Sequence, residues 1–520
     1  MLYIKMNLNP NSARNTLNSY CQAQSTKNKA WLYPQFFTGI KLDVFRHIHG
    51  LTMNFIHPIS VISGSNRSGK TSVLMAIACS HYNFDRPSIS KASWERATWS
   101  NLLRFTNHDS QNEDWEYHIT YRLGNQTKNA KGYRKCSTKK WGGAGKKENQ
   151  IGTPTDAKPD GGRHVCLIDL NRINPGRNFS VTTFNKAKGA NFQSMENQAL
   201  INTYLSYIFE TNYDIGKLVE SAYDKVYQFK MDNALKYSSF NTASGEDVLV
   251  NMLSQILHEP DESLILIDEI EIGLHPKIQR RLMDVLFMIS KNNKKQFIVT
   301  SHSYAVVDSV PKESRLFIEN NNGSFLCKSQ LSIYETLTRM DSEAFPLVTI
   351  YVEDDVSKKI TEKAISEINI QNNGFARLVR VVVVGSAGET YNYFKTRKNL
   401  QKLENIVTKA ACILDGDMKN KQNQKGALLY PIEDNLFFHY SDDAPEKMMV
   451  KCYLRSNANS NIQYHVEHSN PHCLFGKMTE VGCVKDNNEA FDVCFNAYKS
   501  DVEGGNHFEE LKNFVKNLCN

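Results

Sequence analysis

No apolar run in the 520-residue chain approaches the roughly 18 residues that a membrane-spanning helix needs; runs such as Val381–Val384 are strand-sized. No membrane partner or span is therefore expected. A positively charged start leading into an apolar segment is also lacking: the N-terminus is polar and rich in asparagine, so no secretion signal is expected. Cys-x-x-Cys pairs are absent, and the eleven cysteines are scattered and odd in number. That usage argues against a disulfide framework and for reduced thiols, hence a cytoplasmic location. Internal repeats are lacking as well. What remains is an ordinary globular composition, 41% hydrophobic and 22% charged, at a length that predicts two or three domains.

The most informative stretch is Val61-Ile-Ser-Gly-Ser-Asn-Arg-Ser-Gly-Lys-Thr71, an apolar strand entering a Gly-x4-Gly-Lys-Thr phosphate loop. Gly64 and Gly69 permit the turns that aim the N–H groups of Ser65, Asn66, Arg67 and Ser68 at one point. Lys70 reaches the β- and γ-phosphates, and the Thr71 hydroxyl ligates Mg²⁺. A helix over Thr71–Ser80 adds its positive end to the same anion site, and a strand over Met53–Ile62 precedes it. ATP with Mg²⁺ is the expected cofactor.

Beyond the loop, residues 84–190 read as an insertion with strands at Trp115–Arg122 and His164–Leu170. Between Arg122 and Arg163 lie eleven Lys/Arg against three acidic residues. Such a block is either a solvated mobile loop or a salt-dependent contact with a phosphate backbone. Residues 192–238 read as helical, with Leu, Ile, Tyr and Phe recurring every three or four positions. Strands at Ser263–Asp268 and Gln296–Thr300, alternating with helices from Ser244 and over Lys277–Ser290, predict a parallel sheet. A helix near Ser332–Arg339 follows. A second α/β unit opens at Leu347, with strands Leu347–Val352, Val379–Val384 and Lys409–Leu414 and a helix over Ser357–Ile368. The fold class is thus α/β throughout, with an ATPase domain over 1–340 and a second domain over 345–520.

Leu264-Ile-Leu-Ile-Asp-Glu ends a buried strand in two carboxylates: Asp268 to hold Mg²⁺ and Glu269 to polarise the attacking water. Phe297-Ile-Val-Thr-Ser-His302 is a further strand ending in a histidine placed to sense the γ-phosphate. These motifs resemble the ATP-binding-cassette branch of the phosphate-loop ATPases, in its soluble, DNA-associated group. The resemblance makes Ser244-Gly245-Glu246 the signature motif, serving the nucleotide of a second subunit, so that a homodimer or larger assembly is implied. Asp-Glu-x-Glu-x-Gly-Leu-His-Pro (268–276) is particularly similar to the OLD-family ATPases, which usually carry Pro where this chain has Ile270.

Thr349-Ile-Tyr-Val-Glu353 and Ala411-Cys-Ile-Leu-Asp-Gly-Asp417 are two more strands ending in carboxylates. Residues i and i+2 of an extended chain point to one side, so Asp415 and Asp417 suit capture of a divalent metal at a sheet's C-terminal edge. Oxygen ligands of this kind select Mg²⁺ or Mn²⁺ over Zn²⁺. Together the motifs resemble a TOPRIM domain, with Glu353, Asp415 and Asp417 as the metal-binding and catalytic acids. The family's Glu-Gly-x-x-Asp is here Glu353-Asp-Asp-Val-Ser357, so that Asp354 or Asp355 stands in for a ligand. Glu433, within Tyr430-Pro-Ile-Glu-Asp-Asn, matches a further ligand, and Lys477 or Lys485 an assisting lysine. His465, His468, His472, Cys473 and Cys483 lie close in sequence but match no zinc spacing.

The resemblance implies an OLD-family protein: an ATP-gated, metal-dependent DNA endonuclease. Such fusions occur in bacterial anti-phage systems, Gabija-like systems and some retrons among them, with a helicase or a reverse transcriptase as partner. The competing expectation, raised by Ser357, is an ATP-dependent sensor or scaffold whose degenerate TOPRIM site controls another effector.

Overall fold

The computed structural model describes residues 8–22, 32–87, 94–106, 108–109, 111–156, 159, 161–173, 178–220, 225–231, 235–321, 323–340, 346–372, 374–404 and 408–519. They divide into two compact units, one ending at Thr336 and one beginning at Leu337.

In the first unit, β1 (Gln35–Phe45) and β2 (Ile48–Asn54) form an antiparallel hairpin. Then β3 (Ile59–Gly64), buried at every position, delivers the chain to α1 (Lys70–Cys79). The single strand expected over Met53–Ile62 is two strands. Pro58 lacks the N–H a ladder needs, and the chain turns there to change sheets.

The segment expected as an insertion is largely part of the domain. Within it, β4 (Asn83–Pro87), β5 (Trp94–Arg96), β6 (Trp115–Leu123), β7 (Gln126–Arg134), β8 (Trp141–Gly143) and β9 (His164–Ile168) are all integrated. β6 pairs with β1, giving a five-stranded antiparallel sheet in the order β2-β1-β6-β7-β8. Alternation in Trp-Glu-Tyr-His-Ile explains this: Trp115, Tyr117 and Ile119 turn into the core beside Phe45 and Leu51. The described part of the basic run therefore lies largely in and around the β6–β8 strands, with residues 157, 158 and 160 outside the described residues. Arg122, Arg134 and Arg163 are buried, and Arg134 lies 4.2 Å over the Phe105 ring.

Residues 192–238 are only partly helical. A helix spans Gln198–Phe209, after which β10 (Tyr213–Glu220), β11 (Lys225–Met231) and β12 (Lys236–Ser238) form an antiparallel sheet. Tyr, Val, Phe and Ile favour a half-buried pleated surface, and burial of Tyr213, Ile215, Val226, Tyr227 and Phe229 outweighs the helical spacing.

Next come α2 (Ser244–His258), β13 (Leu264–Ile267), α3 (Pro276–Asn293), β14 (Gln296–Thr300), β15 (Arg315–Asn321) and β16 (Ser324–Ser329). The main sheet runs β16-β15-β3-β14-β13-β9-β4-β5 among the described residues, parallel from β15 to β4. Its centre brings the ends of β3, β13 and β14 side by side.

The second unit has a parallel sheet in the order β18-β17-β19-β20, from β17 (Val348–Val352), β18 (Val379–Val383), β19 (Lys409–Leu414) and β20 (Leu436–Phe438). Crossover helices α4 (Asp355–Gln371) and α5 (Ala387–Glu404) connect its strands. Ile350, Val352 and Ile413 face a helical layer that includes α6 (Pro445–Ser456) and the helices Asn487–Ser500 and Val502–Cys519. Tyr351, Cys412 and Leu414 face Phe394 of α5. No helix of the described residues is long and apolar enough to cross a membrane, and all eleven cysteines are free thiols.

Candidate functional site

Glycine is required twice in the phosphate loop. Gly64 has φ 156, and an added Cβ would stand 2.6 Å from the Ile318 carbonyl oxygen. Gly69 has φ 92, and its Cβ would stand 2.4 Å from the Ile48 side chain. Between them, Ser65, Asn66, Arg67 (φ 63) and Ser68 make the turn, with the Ser68 N–H donating to the Ser65 carbonyl at 3.2 Å. The Lys70 ammonium is folded into the loop, donating to the Gly64 and Ser65 carbonyls at 3.0 Å each. Burial depresses its pKa, against the pull of Glu269, Asp268 and Glu271. A cation held by carbonyl dipoles above a helix N-terminus is prepared for a polyphosphate.

The strand ends complete the site. The Thr71 hydroxyl donates to Asp268 Oδ2 at 2.9 Å, and the Thr300 hydroxyl to Asp268 Oδ1 at 2.7 Å. Thr300 also accepts the Glu269 N–H at 2.7 Å, fixing Glu269 in a left-handed conformation, φ 47. A hydroxyl and a carboxylate on facing elements are the donor set a Mg²⁺ ion takes. The His302 N–H donates to Glu271 Oε1 at 2.5 Å. Burial first, then the Lys70 charge, lowers the His302 imidazole pKa, so the ring is neutral at pH 7.

Ser244 is the first residue of α2, and its side chain lies outside the described ones. Gly245 packs against the Gly273 carbonyl, which an added Cβ would approach to 3.0 Å. Glu246 accepts hydrogen bonds from Tyr213 at 2.5 Å, Tyr237 at 2.7 Å and Thr242. Glu246 thus ties α2 to the β10–β12 sheet.

In the second unit, β17 and β19 are neighbours in register, so Glu353 and Asp415 emerge together at the C-terminal edge. Glu353 Oε1 accepts the Asp415 N–H at 2.7 Å, and the Ser357 hydroxyl donates to Asp415 Oδ1 at 2.8 Å. Burial first, and then repulsion from Asp417 and Asp354 at Glu353 and from Glu353 and Asp354 at Asp415, raise the pKa of both carboxyls. Asp417 is reached differently from the expected extended alternation. Asp415 caps a short 3₁₀ turn, Gly416–Met418, which carries Asp417 round, leaving its Oδ1 buried without a hydrogen bond. Lys421 lies 3.5 Å from Asp417 Oδ2. Buried carboxylates crowded on one edge, with one orphaned oxygen, fit a divalent cation.

Other expected ligands lie elsewhere. Glu433 is held by Lys395 at 3.0 Å, Lys398 at 2.8 Å and Tyr391 at 2.8 Å. Despite partial burial, these donors pull its pKa down to about 2, so its charge is already met. Lys477 pairs with Glu480 at 2.6 Å, and Lys485 is exposed. Asp354 caps α4 through the Ser357 N–H at 2.8 Å, whereas Asp355 is the first residue of that helix. The histidines and cysteines do not converge. His465 bonds Ser469, His468 stacks on Tyr464, and Cys483 accepts from Asn459.

Residues 79–308 match a family model described as "AAA domain, putative AbiEii toxin, Type IV TA system". The first unit is similar to an ATPase domain of the ABC type. The matched span begins just after the phosphate loop and includes Asp268, Glu269 and His302. No curated protein matches the chain. Among solved structures, an SMC head domain from Thermotoga maritima is 13% identical, with TM-score 0.35, over 56% of this chain and 98% of that one. A structure of the recombination mediator RecF is 12% identical, with TM-score 0.34, over 57% and 99%.

Sequence reasoning passed over Thr300 and Glu271. Both lie inside motifs it singled out, Thr-Ser-His and Asp-Glu-Ile-Glu, and the hydroxyl preceding the histidine was the available signal. It also passed over Glu446, which sits in no motif.

Proposed function

We propose that the chain is an ATP-binding and ATP-hydrolysing, metal-dependent DNA endonuclease of the OLD type, with the nuclease in a C-terminal TOPRIM domain. The observation that carries this reading is the Glu353–Asp415 pair: two buried carboxyls bonded through a backbone amide at the C-terminal edge of adjacent parallel strands. At neutral pH such crowding is relieved by a proton or by a bound cation, and the placement at a sheet's C-terminal edge suits the cation. Glu353, Asp415 and Asp417 would hold Mg²⁺ or Mn²⁺, which supplies charge stabilisation for phosphodiester cleavage when bound.

In the first unit, Lys70 and the loop amides bind the phosphates of ATP, Thr71 and Asp268 take Mg²⁺, Glu269 orients the attacking water, and His302 faces the γ-phosphate. Ser244 and Gly245 serve the nucleotide of a second copy, so the working form is a homodimer or larger. Nucleotide binding or turnover gates cleavage. The biological setting is bacterial anti-phage defence in the cytoplasm, with a helicase or reverse transcriptase as partner.

The test is cleavage of plasmid and single-stranded DNA with Mn²⁺ or Mg²⁺, alongside ATP hydrolysis. Asp415→Ala abolishes cleavage and spares hydrolysis; Glu269→Gln cuts hydrolysis by at least about 100-fold. Cleavage that survives Asp415→Ala overturns the site assignment. One observation favours a second reading: Ser357 places a hydroxyl on Asp415 where the resemblance puts a carboxylate. If wild-type protein hydrolyses ATP and cuts no DNA under any metal, the ATP-dependent sensor is the better description.

A further inference from the structure

Beside the Glu353–Asp415 pair, three side chains from separate segments converge: Asp354 at the start of α4, Glu446 in the first turn of α6, and His472 in the turn Pro471–Cys473. One ligand atom from each lies within 4.8 Å of the others. His472 Nδ1 is 3.0 Å from Glu446 Oε1 and 3.8 Å from Asp354 Oδ2. Each is fixed by its backbone: Asp354 uses Oδ1 to cap α4, and Asn470 Oδ1 accepts the His472 N–H at 3.0 Å. Glu446 is decisive. Its side chain is only 3% exposed, and its Oε2 is buried without a hydrogen bond. His472 meets Oε1, but Oε2 is sealed from water with no donor, beside Asp354 and close to Asp415.

We infer that Asp354, Glu446 and His472 form a second divalent-cation site, distinct in chemistry from the all-oxygen set of Glu353, Asp415 and Asp417. Two carboxylates with one imidazole suit a first-row transition dication such as Mn²⁺ and disfavour Mg²⁺, which prefers oxygen and water. Binding requires Nδ1 of His472 to give up the proton it now shares with Glu446, so metal uptake releases a proton. The placement deepens the nuclease reading and rests on it for its purpose. Ser357 contributes no carboxylate, and Asp354, which caps that residue, directs its second oxygen to His472 instead. The site itself stands on its own geometry.

The test is Mn²⁺ binding to the nucleotide-free full chain, followed by electron spin-echo spectroscopy. It is done in a His118→Gln background, which removes the other histidine–carboxylate grouping (Asp43, Glu116, His118). Bound Mn²⁺ should show ¹⁴N modulation from one imidazole. His472→Gln, at a half-exposed position that leaves the fold intact, should abolish the modulation and weaken one Mn²⁺ equivalent by at least about tenfold. Asp415→Asn should keep the modulation while removing an oxygen-only equivalent. Absence of ¹⁴N modulation at saturating Mn²⁺, or its survival in His472→Gln, overturns the inference. A modulation that persists while Asp415→Asn changes neither stoichiometry nor cleavage overturns the nuclease reading alone.

Discussion

Replacing Glu353 by Gln separates what the acidic edge costs the fold from what it offers a cation. Gln keeps the shape and still accepts the Asp415 N–H, the 2.7 Å bond that joins β17 to β19. It removes one charge from a group in which Asp415 is buried and Asp354 and Asp417 are half-buried. Relieving a buried carboxylate with no counter-cation is worth on the order of 2 kcal/mol. In a domain of this size that is a rise of about 4–8 °C in Tm. The sign follows from linkage. Glu353 titrates higher folded than unfolded, so its ionisation destabilises the metal-free fold as pH rises through the ordinary glutamate range toward neutrality. The gain in Glu353→Gln should be full near pH 8 and vanish near pH 4. All five tryptophans lie between Trp31 and Trp141, in the first unit. Tryptophan fluorescence therefore follows that unit alone, while calorimetry follows both. The variant should raise a calorimetric transition that fluorescence does not see, and Mn²⁺ should stabilise the wild type far more than the variant. A metal-free Tm that falls, or an undiminished response to Mn²⁺, would show that Glu353 carries no unmet charge in the fold.

Burial holds His57 and His81 of the first unit down at about 4, so they fold neutral. Their contribution is full above the unfolded value of 6.5 and is lost as pH falls from there toward 4, by up to about 1.4 kcal/mol per pH unit for each. Urea unfolding monitored by tryptophan at pH 7 and pH 5 measures it, and equal midpoints would contradict it. On the β6–β8 hairpin, Lys128, Lys139 and Lys140 are exposed, whereas Lys131 and Lys135 pair with Glu116 and Asp114. Changing the three exposed lysines to Glu should weaken DNA binding and reduce the slope of log affinity against log salt by up to about 3, as read by fluorescence anisotropy. An unchanged slope would show that DNA does not touch this hairpin. Ser357→Ala frees the Asp415 rotamer and should weaken Mn²⁺ binding by about 10-fold. Glu433→Gln should leave Mn²⁺ affinity unchanged while lowering stability.

Local signals carried most of the fold into the sequence. The strand at Lys409–Leu414 and the phosphate loop were legible because buried apolar runs and glycine turns write themselves in a few adjacent residues. The strands of residues 213–238 were not, because aromatic and β-branched residues at mixed spacing satisfy a helical period and a pleated one alike. Pairing settled the matter there: β10 found β11, and Phe229 stacked on Tyr237 at 5.3 Å. The basic run from Arg122 misled for a related reason. Its composition is that of a solvated loop, yet Arg122 donates to the Tyr33 carbonyl at 2.8 Å and Arg163 to Gln296 at 2.9 Å, each deep in the unit. Long-range partners of this kind leave no mark in composition. The same holds for Glu446 and His472, which meet Asp354 from two further segments of the chain.

A carboxylate is available to a cation only while its charge is unmet, and this criterion sorts the acids that sequence alone groups together. Glu353 and Asp415 are oriented by neutral donors, a backbone amide and a serine hydroxyl, which fix a rotamer and cancel no charge. Their raised pKa records burial first and then the repulsion that remains. Glu433 is oriented by two lysines and a tyrosine, and its pKa of about 2 records a charge already balanced within the protein. A Mg²⁺ ion bound there would have to displace both ammonium groups and leave them without a partner. The motif around Glu433 therefore works in the opposite sense to the one expected of it. It pins α5 to the loop that precedes β20, and on the proposed reading the metal would be held by the acids whose neighbours donate hydrogen bonds and no charge.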